Sequence, residues 1–145
     1  MKRALPLLTL LLLAASPASA DPAPPGTPPP VPKPIHFATG KSSGTVKAAV
    51  IRGEQDFYSL GAKAGQRMTV TISAVESNAA FHIYAPGAAI TRDAEGDLDV
   101  TGKALPDAEA DATRWTGRLA ASGTYLIEVG GTRGNATYAL TVSIE

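Results

Sequence analysis

Apolar and polar residues alternate along most of the chain after residue 34, and this pattern constrains the fold more than any other. In the clearest run, Met68, Val70 and Ile72 alternate with Thr69 and Thr71. Successive side chains of a β-strand point to opposite faces, so such a run predicts a strand with one buried face. No segment keeps a helical period. Similar runs occupy residues 46–50, 57–60, 81–85, 115–119, 125–129 and 138–144.

Short turn sequences separate these runs, among them AGQ at 64–66, PG at 86–87 and SG at 122–123. Proline fixes φ and glycine accepts conformations that other residues avoid, so these pairs favour tight turns. Each strand has one apolar face to cover. About seven or eight short strands of this kind predict an all-β fold, a single antiparallel β-sandwich over residues 35–145.

The first twenty residues have the three parts of a secretory signal peptide. Lys2 and Arg3 form the charged start, residues 5–15 an apolar run, and Ala18-Ser19-Ala20 a small-residue cleavage site. The apolar run is shorter than the roughly 20 residues of a membrane span. The sequence therefore predicts a periplasmic or secreted protein that begins at Asp21 and has no membrane anchor.

Residues 21–34 read DPAPPGTPPPVPKP, a composition that predicts an extended, disordered linker outside the fold, because proline locks φ and removes amide donors. There is no cysteine, so stability must come from packing and sheet hydrogen bonds. Without Lys2 and Arg3, eleven basic and thirteen acidic residues remain, a net charge of −2. This balance lacks the basic stripe of nucleic-acid-binding proteins, so no nucleic-acid partner is expected.

Residues 90–113 break the alternation and contain seven acidic residues, which predicts a long loop and a place to look for function. Four of the acids alternate: Asp93, Glu95, Asp97 and Asp99. Such acids can gather around calcium, but the helix-loop-helix calcium pattern needs glycine and an acid where this chain has Leu98 and Ala104. A calcium loop of another kind stays open beside a solvated acidic loop, and no metal site is assigned.

Two further patterns were weighed as catalytic or metal sites. Residues 40–44, GKSSG, match the G-x-S-x-G motif of hydrolases, but a strand and not a helix follows them, so they predict a polar turn. His36 and His82 are the only histidines, and neither has a ligand residue at metal-binding spacing. The sequence therefore predicts a binding protein without a cofactor, not an enzyme.

Three segments carry a resemblance to known families: FATGKSSG at 37–44, DFYSLGAKAGQ at 56–66 and ASGTYLIEV at 121–129. They resemble the periplasmic inhibitors of g-type and i-type lysozymes, in which a similar opening, an AKAGQ turn, a strand ending in proline-glycine and a GxLxASGxY stretch follow in this order. They also resemble the bacterial pre-peptidase C-terminal module, an accessory β-sandwich of secreted enzymes.

The first resemblance implies a protein whose loops block the active-site cleft of a lysozyme. The second implies an accessory or adhesion module that binds a polysaccharide or another secreted protein. The places where the inhibitors carry their contacts hold Arg114, Trp115, Arg133 and Asn135 here, which are the predicted partner-binding residues. Arginine pairs well with carboxylates, and a lysozyme needs acids in its cleft. The alternatives are a core role for Trp115 and solvated arginines worth under about 1 kcal/mol each.

Overall fold

A computed structural model describes residues 19–145, so residues 1–18 of the predicted signal peptide lie outside the described residues. The described chain forms ten β-strands and no helix. The strands are β1 (Lys33–Pro34), β2 (Ser43–Val50), β3 (Gln55–Ala62), β4 (Arg67–Ala74), β5 (Ala79–Tyr84), β6 (Ala89–Arg92), β7 (Leu98–Thr101), β8 (Arg114–Arg118), β9 (Gly123–Gly131) and β10 (Ala136–Ile144). Between residues 19 and 145 there is accordingly no helix that could span a membrane.

The strands form two four-stranded sheets and one hairpin. One sheet has the order β1-β3-β9-β5, the other has the order β2-β10-β4-β8, and β6 pairs with β7. The all-β prediction is confirmed, and two sheets with their apolar faces in one core are consistent with the predicted sandwich. The pairing is antiparallel except between β1 and β3, which run parallel.

The alternating rows of the sequence fill the core between the two sheets. Residues with no exposed surface come from both sheets: Met68, Val70, Ile83, Ile127, Val129, Leu140 and Val142. A polar contact also crosses this core. The hydroxyls of Tyr58 on β3 and Tyr138 on β10 lie 2.6 Å apart, and Tyr138 donates to Asp56 at 2.6 Å. Burial and these hydrogen bonds raise the pKa of Tyr138 above its ordinary value.

The prediction of a long loop at residues 90–113 is wrong for residues 90–101 and holds for residues 102–113, which contain no strand. Strands β6 and β7 form a hairpin whose turn is closed by Asp93, which accepts hydrogen bonds from the amides of Glu95 and Asp97 at 3.0 and 2.8 Å. The chain then returns along β5, where the amide of Ile83 donates to the carbonyl of Ala108. Backbone pairing needs no apolar alternation, which is why the sequence pattern did not reveal it.

The end of the predicted linker joins the fold. Lys33 and Pro34 pair with β3, and the amide of Ile35 donates to the carbonyl of Ser59 at 2.8 Å. Strand pairing therefore begins two residues before the predicted boundary at Ile35. Proline suits this position because it stands at the edge of the sheet, where a missing amide donor removes no ladder hydrogen bond from a central strand.

Candidate functional site

Three loops meet at one end of the sandwich, and together they are called the loop platform here: residues 51–54 between β2 and β3, 75–78 between β4 and β5, and 132–135 between β9 and β10. The strand register brings them together. Val50, the last residue of β2, pairs with Ala136 at the start of β10, and Ala74 at the end of β4 pairs with Tyr138. The three loops therefore follow neighbouring strand ends.

Polar contacts hold the loop platform together. The side-chain amide of Asn78 donates to the carbonyl of Asn135 at 2.7 Å, and the carbonyl of Asn78 accepts from the amide of Thr132 at 2.8 Å. The side-chain oxygen of Asn135 accepts from the amide of Arg52 at 2.8 Å. Asn78 is only 5% exposed while Asn135 is exposed, so this hydrogen bond is partly shielded from water. Each loop is thus tied to a second one.

The outer surface of the loop platform carries Arg133 and Val75. The guanidinium of Arg133 donates to the carbonyl of Glu76 at 2.6 Å, and the rest of the side chain is exposed. A hydrogen bond from the amide of Ser77 to the carbonyl of Ala74 closes the turn below. Val75 stands at the tip of this turn with 95% of its surface exposed.

The four predicted partner-binding residues divide into two pairs. Arg133 and Asn135 lie on the loop platform, where Asn135 uses its polar atoms to hold neighbouring loops. Arg114 and Trp115 lie on β8, the edge strand beside β4, opposite Thr71 and Val70. Arg114 is exposed, and its pairing with Thr71 places it along the side of the sheet, away from the platform loops.

Trp115 is buried, with 8% of its surface exposed. Its ring nitrogen donates to the carbonyl of Pro106 at 2.8 Å. The ring also covers Gly117, where an added Cβ would lie 2.6 Å from a ring carbon. This packing supports the core alternative for Trp115, and no large part of the ring is free to contact a partner.

A second candidate surface lies at the opposite end of the sandwich. It is a shallow recess of about 650 Å³, called the lysine recess here, lined by Phe37, Lys41, Ser42, Gly61, Ala62, Lys63, Gln66, Gly123, Thr124 and Ile144. All three segments that carry the family resemblance contribute to it. The turns around it are joined by hydrogen bonds from the amide of Ala64 to the Ser122 hydroxyl and from the amide of Gly65 to the carbonyl of Leu119.

A polar cluster occupies the outer face of the first sheet. The two ring nitrogens of His82 lie 3.6 Å from Asp111 and 3.5 Å from Glu128, and Tyr84 donates to Glu128 at 3.0 Å. Burial and the Glu128 carboxylate raise the pKa of Tyr84 above its ordinary value. The acids lie on opposite sides of the imidazole. Between residues 19 and 145, no three His, Asp or Glu side chains are grouped so that they could hold a metal ion.

The GKSSG stretch leads directly into β2, which begins at Ser43. Its serines therefore lack the strand-to-helix turn that exposes the nucleophile of a hydrolase, as the sequence context predicted. Of the four alternating acids, Asp93, Glu95 and Asp97 lie in the turn between β6 and β7, and Asp99 lies on β7. Asp93 binds backbone amides of that turn.

Crystal structures of lysozyme inhibitors share this fold. The structure of Aeromonas hydrophila PliG, a periplasmic inhibitor of g-type lysozyme, is 35% identical with a TM-score of 0.61, and the match covers 78% of this chain and 95% of that chain. The chain belongs to the PliG family of periplasmic lysozyme inhibitors. This confirms the resemblance of the three segments to the lysozyme inhibitors, and a periplasmic family agrees with the exported protein that the leader predicts.

Two more distant PliG structures share the fold. Salmonella Typhimurium PliG is 24% identical with a TM-score of 0.53, and the match covers 77% of this chain and 96% of that chain. A mutant of Escherichia coli PliG is 23% identical with a TM-score of 0.53, covering 79% of this chain and 100% of that chain. No protein-family model and no curated protein matches the sequence.

Sequence reasoning missed Asn78 and Val75. The signal for Val75 was present: it follows Ala74, the last inward residue of its strand, and it precedes the polar Glu76 and Ser77. An apolar β-branched residue is unusual in a turn. Asn78 gave no such signal, because its hydrogen bond to Asn135 joins positions 57 residues apart.

Proposed function

We propose that this protein is a non-catalytic periplasmic inhibitor that binds a g-type lysozyme and blocks its cleft with loops. The observation that carries the proposal is the 35% identity to Aeromonas hydrophila PliG over 95% of that chain. PliG is an inhibitor of g-type lysozyme. A cleft-blocking protein needs a projecting surface that keeps its shape, and both ends of this sandwich supply ordered loops.

The loop platform is the surface we propose for lysozyme binding, with Arg133 as the charged contact. One guanidinium nitrogen is held by the carbonyl of Glu76, so the side chain is already oriented while its other donors face solvent. A glycosidase keeps acidic side chains in its cleft, and the planar guanidinium can pair with a carboxylate through two hydrogen bonds. Holding the arginine in place beforehand lowers the entropy cost of binding.

The other predicted contacts take different parts in this proposal. Asn135 positions the platform loops by accepting from Arg52 and from Asn78. Arg114 is a separate exposed contact along β8, and Trp115 supports that strand from the core.

The lysine recess is the second candidate surface for the same function. The shared segments converge there, and among the residues lining it Lys41 and Lys63 are charged while none is acidic. Two lysines suit an acidic cleft as point charges, without the geometric selectivity of arginine.

The test is inhibition of purified lysozymes by the mature protein. Residues 21–145 are titrated against g-type, i-type and c-type lysozymes while hydrolysis of bacterial cell walls is followed. We expect inhibition of the g-type enzyme at or below micromolar concentration. No inhibition of any lysozyme at that concentration would overturn the proposal, and binding to cell-wall polysaccharide in the same assay would then favour the accessory-module function.

A further inference from the structure

We infer that Val75 is an apolar anchor of the loop platform, and that the platform fits a partner with an apolar pocket beside a carboxylate. The inference rests on the proposed function and adds a contact to it. Val75 belongs to no recognised motif. It is singled out by its exposure, its rigid support and its neighbour Arg133.

The side chain of Val75 is exposed to solvent. Within residues 19–145, three large hydrophobic residues are exposed: Val31 at 86%, Ile51 at 43% and Val75 at 95%. A single exposed apolar residue needs no explanation. Two of these three, however, lie on neighbouring loops of one end of the molecule, and Val31 lies in the proline-rich segment.

The turn that carries Val75 is rigidly held. Val75 occupies a turn closed by the hydrogen bond from the amide of Ser77 to the carbonyl of Ala74 at 3.0 Å. Ser77 has a φ of 51°, a left-handed conformation that non-glycine residues seldom adopt. The next residue is the buried Asn78, which ties the turn to the loop at 132–135. A tip held from both sides loses little conformational entropy when a partner covers it.

The surface around Val75 combines an apolar side chain with a charged one. The carbonyl of Glu76, the residue after Val75, accepts from Arg133, so the guanidinium is bonded to the same turn that carries the valine. A valine methyl pair gains free energy on leaving water, while the guanidinium needs a hydrogen-bonding acceptor. A pocket that satisfies both has an apolar wall next to a carboxylate. An open, fully solvated acidic surface would satisfy only the arginine.

The partner that fits this surface is the cleft of a lysozyme. A glycosidase cleft must combine carboxylates with surfaces that contact sugar rings, and the acid that donates its proton has a pKa raised by apolar surroundings. A carboxyl group beside an apolar wall is therefore part of such a cleft. The exposed Val75 suits the apolar wall, and the positive charge of Arg133 suits the carboxylate.

The experiment compares Val75→Asn with the control Val31→Asn, since both residues are exposed valines. Inhibition of the g-type lysozyme and melting temperature are measured for wild type and both variants. We expect Val75→Asn to weaken inhibition about tenfold, the loss expected when a valine contact is replaced by a polar one. The melting temperature should stay unchanged, and Val31→Asn should inhibit like wild type. Val75→Ile, which keeps an apolar tip, should retain inhibition.

Equal inhibition by wild type and Val75→Asn would overturn this inference and leave the proposed function standing. A similar loss with Val31→Asn would also overturn it, because the effect would then come from any exposed valine. If wild type inhibits no lysozyme, the proposed function falls, and this inference falls with it.

Discussion

At the loop platform, a buried asparagine side chain joins two loops, whereas at the lysine recess the turns are joined through backbone groups and the exposed Ser122. The two ends therefore differ in how firmly their loops are held before a partner binds. A partly buried side-chain hydrogen bond fixes loops over a long sequence distance, because water competes less for its buried donor. The platform is therefore held in shape by the buried Asn78 together with the bonds from Arg52 to Asn135 and from Arg133 to Glu76.

The two ends also present different chemistry. The platform offers an apolar tip, an oriented arginine and the acids Glu54 and Glu76, whereas the charged side chains lining the recess are Lys41 and Lys63. Lysine side chains attract an acidic partner without fixing its orientation. We therefore propose recognition by shape at the platform and attraction by charge at the recess. The predictions below test that division.

We expect the greatest loss of stability from a mutation of Trp115, which lies at neither end of the sandwich. Trp115→Ala should lower the free energy of unfolding by about 3–5 kcal/mol, because it empties a buried indole site and removes the hydrogen bond to Pro106. Arg114→Ala, the exposed neighbour on the same strand, should change it by less than about 0.5 kcal/mol. Chemical denaturation measures both. A Trp115→Ala protein that kept its stability but lost binding would show that the ring contacts the partner.

The next effect compares the residues that tie loops at each end. Asn78→Ala should cost about 1–3 kcal/mol of unfolding free energy, because it removes a buried donor and leaves the carbonyl of Asn135 without it. Ser122→Ala removes an exposed acceptor whose partner, the amide of Ala64, can bind water instead, so we expect less than about 1 kcal/mol. Equal costs in denaturation would refute the distinction between a buried and an exposed tie.

The sequence predicts the strands but not the contacts between loops, and Asn78 is an example. Alternation predicted the strands because burial of one face is written into every second residue, as with Met68, Val70 and Ile72. It could not predict that Asn78 meets Asn135, since strand order and register decide which loops become neighbours. The hairpin at 89–101 was missed for a related reason: each of its strands has only four residues, and the acids that drew attention lie mostly in the turn between them.

For the site residues, position along the chain was a poor guide to exposure. Trp115 and Arg114 are adjacent, yet one faces the core and the other faces solvent, because neighbouring strand residues point to opposite faces. Arg133 was predicted as an exposed loop residue and is one. Its bond to Glu76 depends on how the β4–β5 and β9–β10 connections, which each cross from one sheet to the other, meet at one end of the sandwich, and no local pattern encodes that.

Charge reversal tests each end of the sandwich separately. Arg133→Glu should weaken inhibition of a g-type lysozyme tenfold or more, since it places a carboxylate against an acidic cleft and loses an oriented donor. Lys63→Glu should weaken it less than about threefold if the recess acts only by long-range attraction, and mainly at low salt. Inhibition constants at two ionic strengths measure both. A larger loss with Lys63→Glu would assign the lysozyme contact to the recess.

The smallest effect concerns alkaline pH and the half of the core next to the loop platform. Tyr138, two residues beyond Ala136 at the start of β10, is buried and hydrogen-bonded to Asp56, and both conditions raise its pKa above the ordinary value of 10.0. The folded state therefore keeps this proton at a pH where the unfolded chain has released it. Its contribution to stability is complete below about pH 10 and is lost as the pH rises above that value.

The unfolding free energy of the wild type should consequently fall above pH 10 more steeply than that of Tyr138→Phe, by up to about 1.4 kcal/mol for each pH unit. The phenylalanine variant has no proton to release at this position and keeps most of the ring packing. Denaturation curves at several values between pH 8 and pH 11 measure the two slopes. Because Tyr138 pairs with Ala74, directly before the turn that carries Val75, inhibition should weaken over the same alkaline range in wild type. Parallel slopes for the two proteins would mean that the Tyr138 hydroxyl ionises equally in the folded and unfolded states, and the buried link from Asp56 to the platform half of the core would then contribute nothing to alkaline stability.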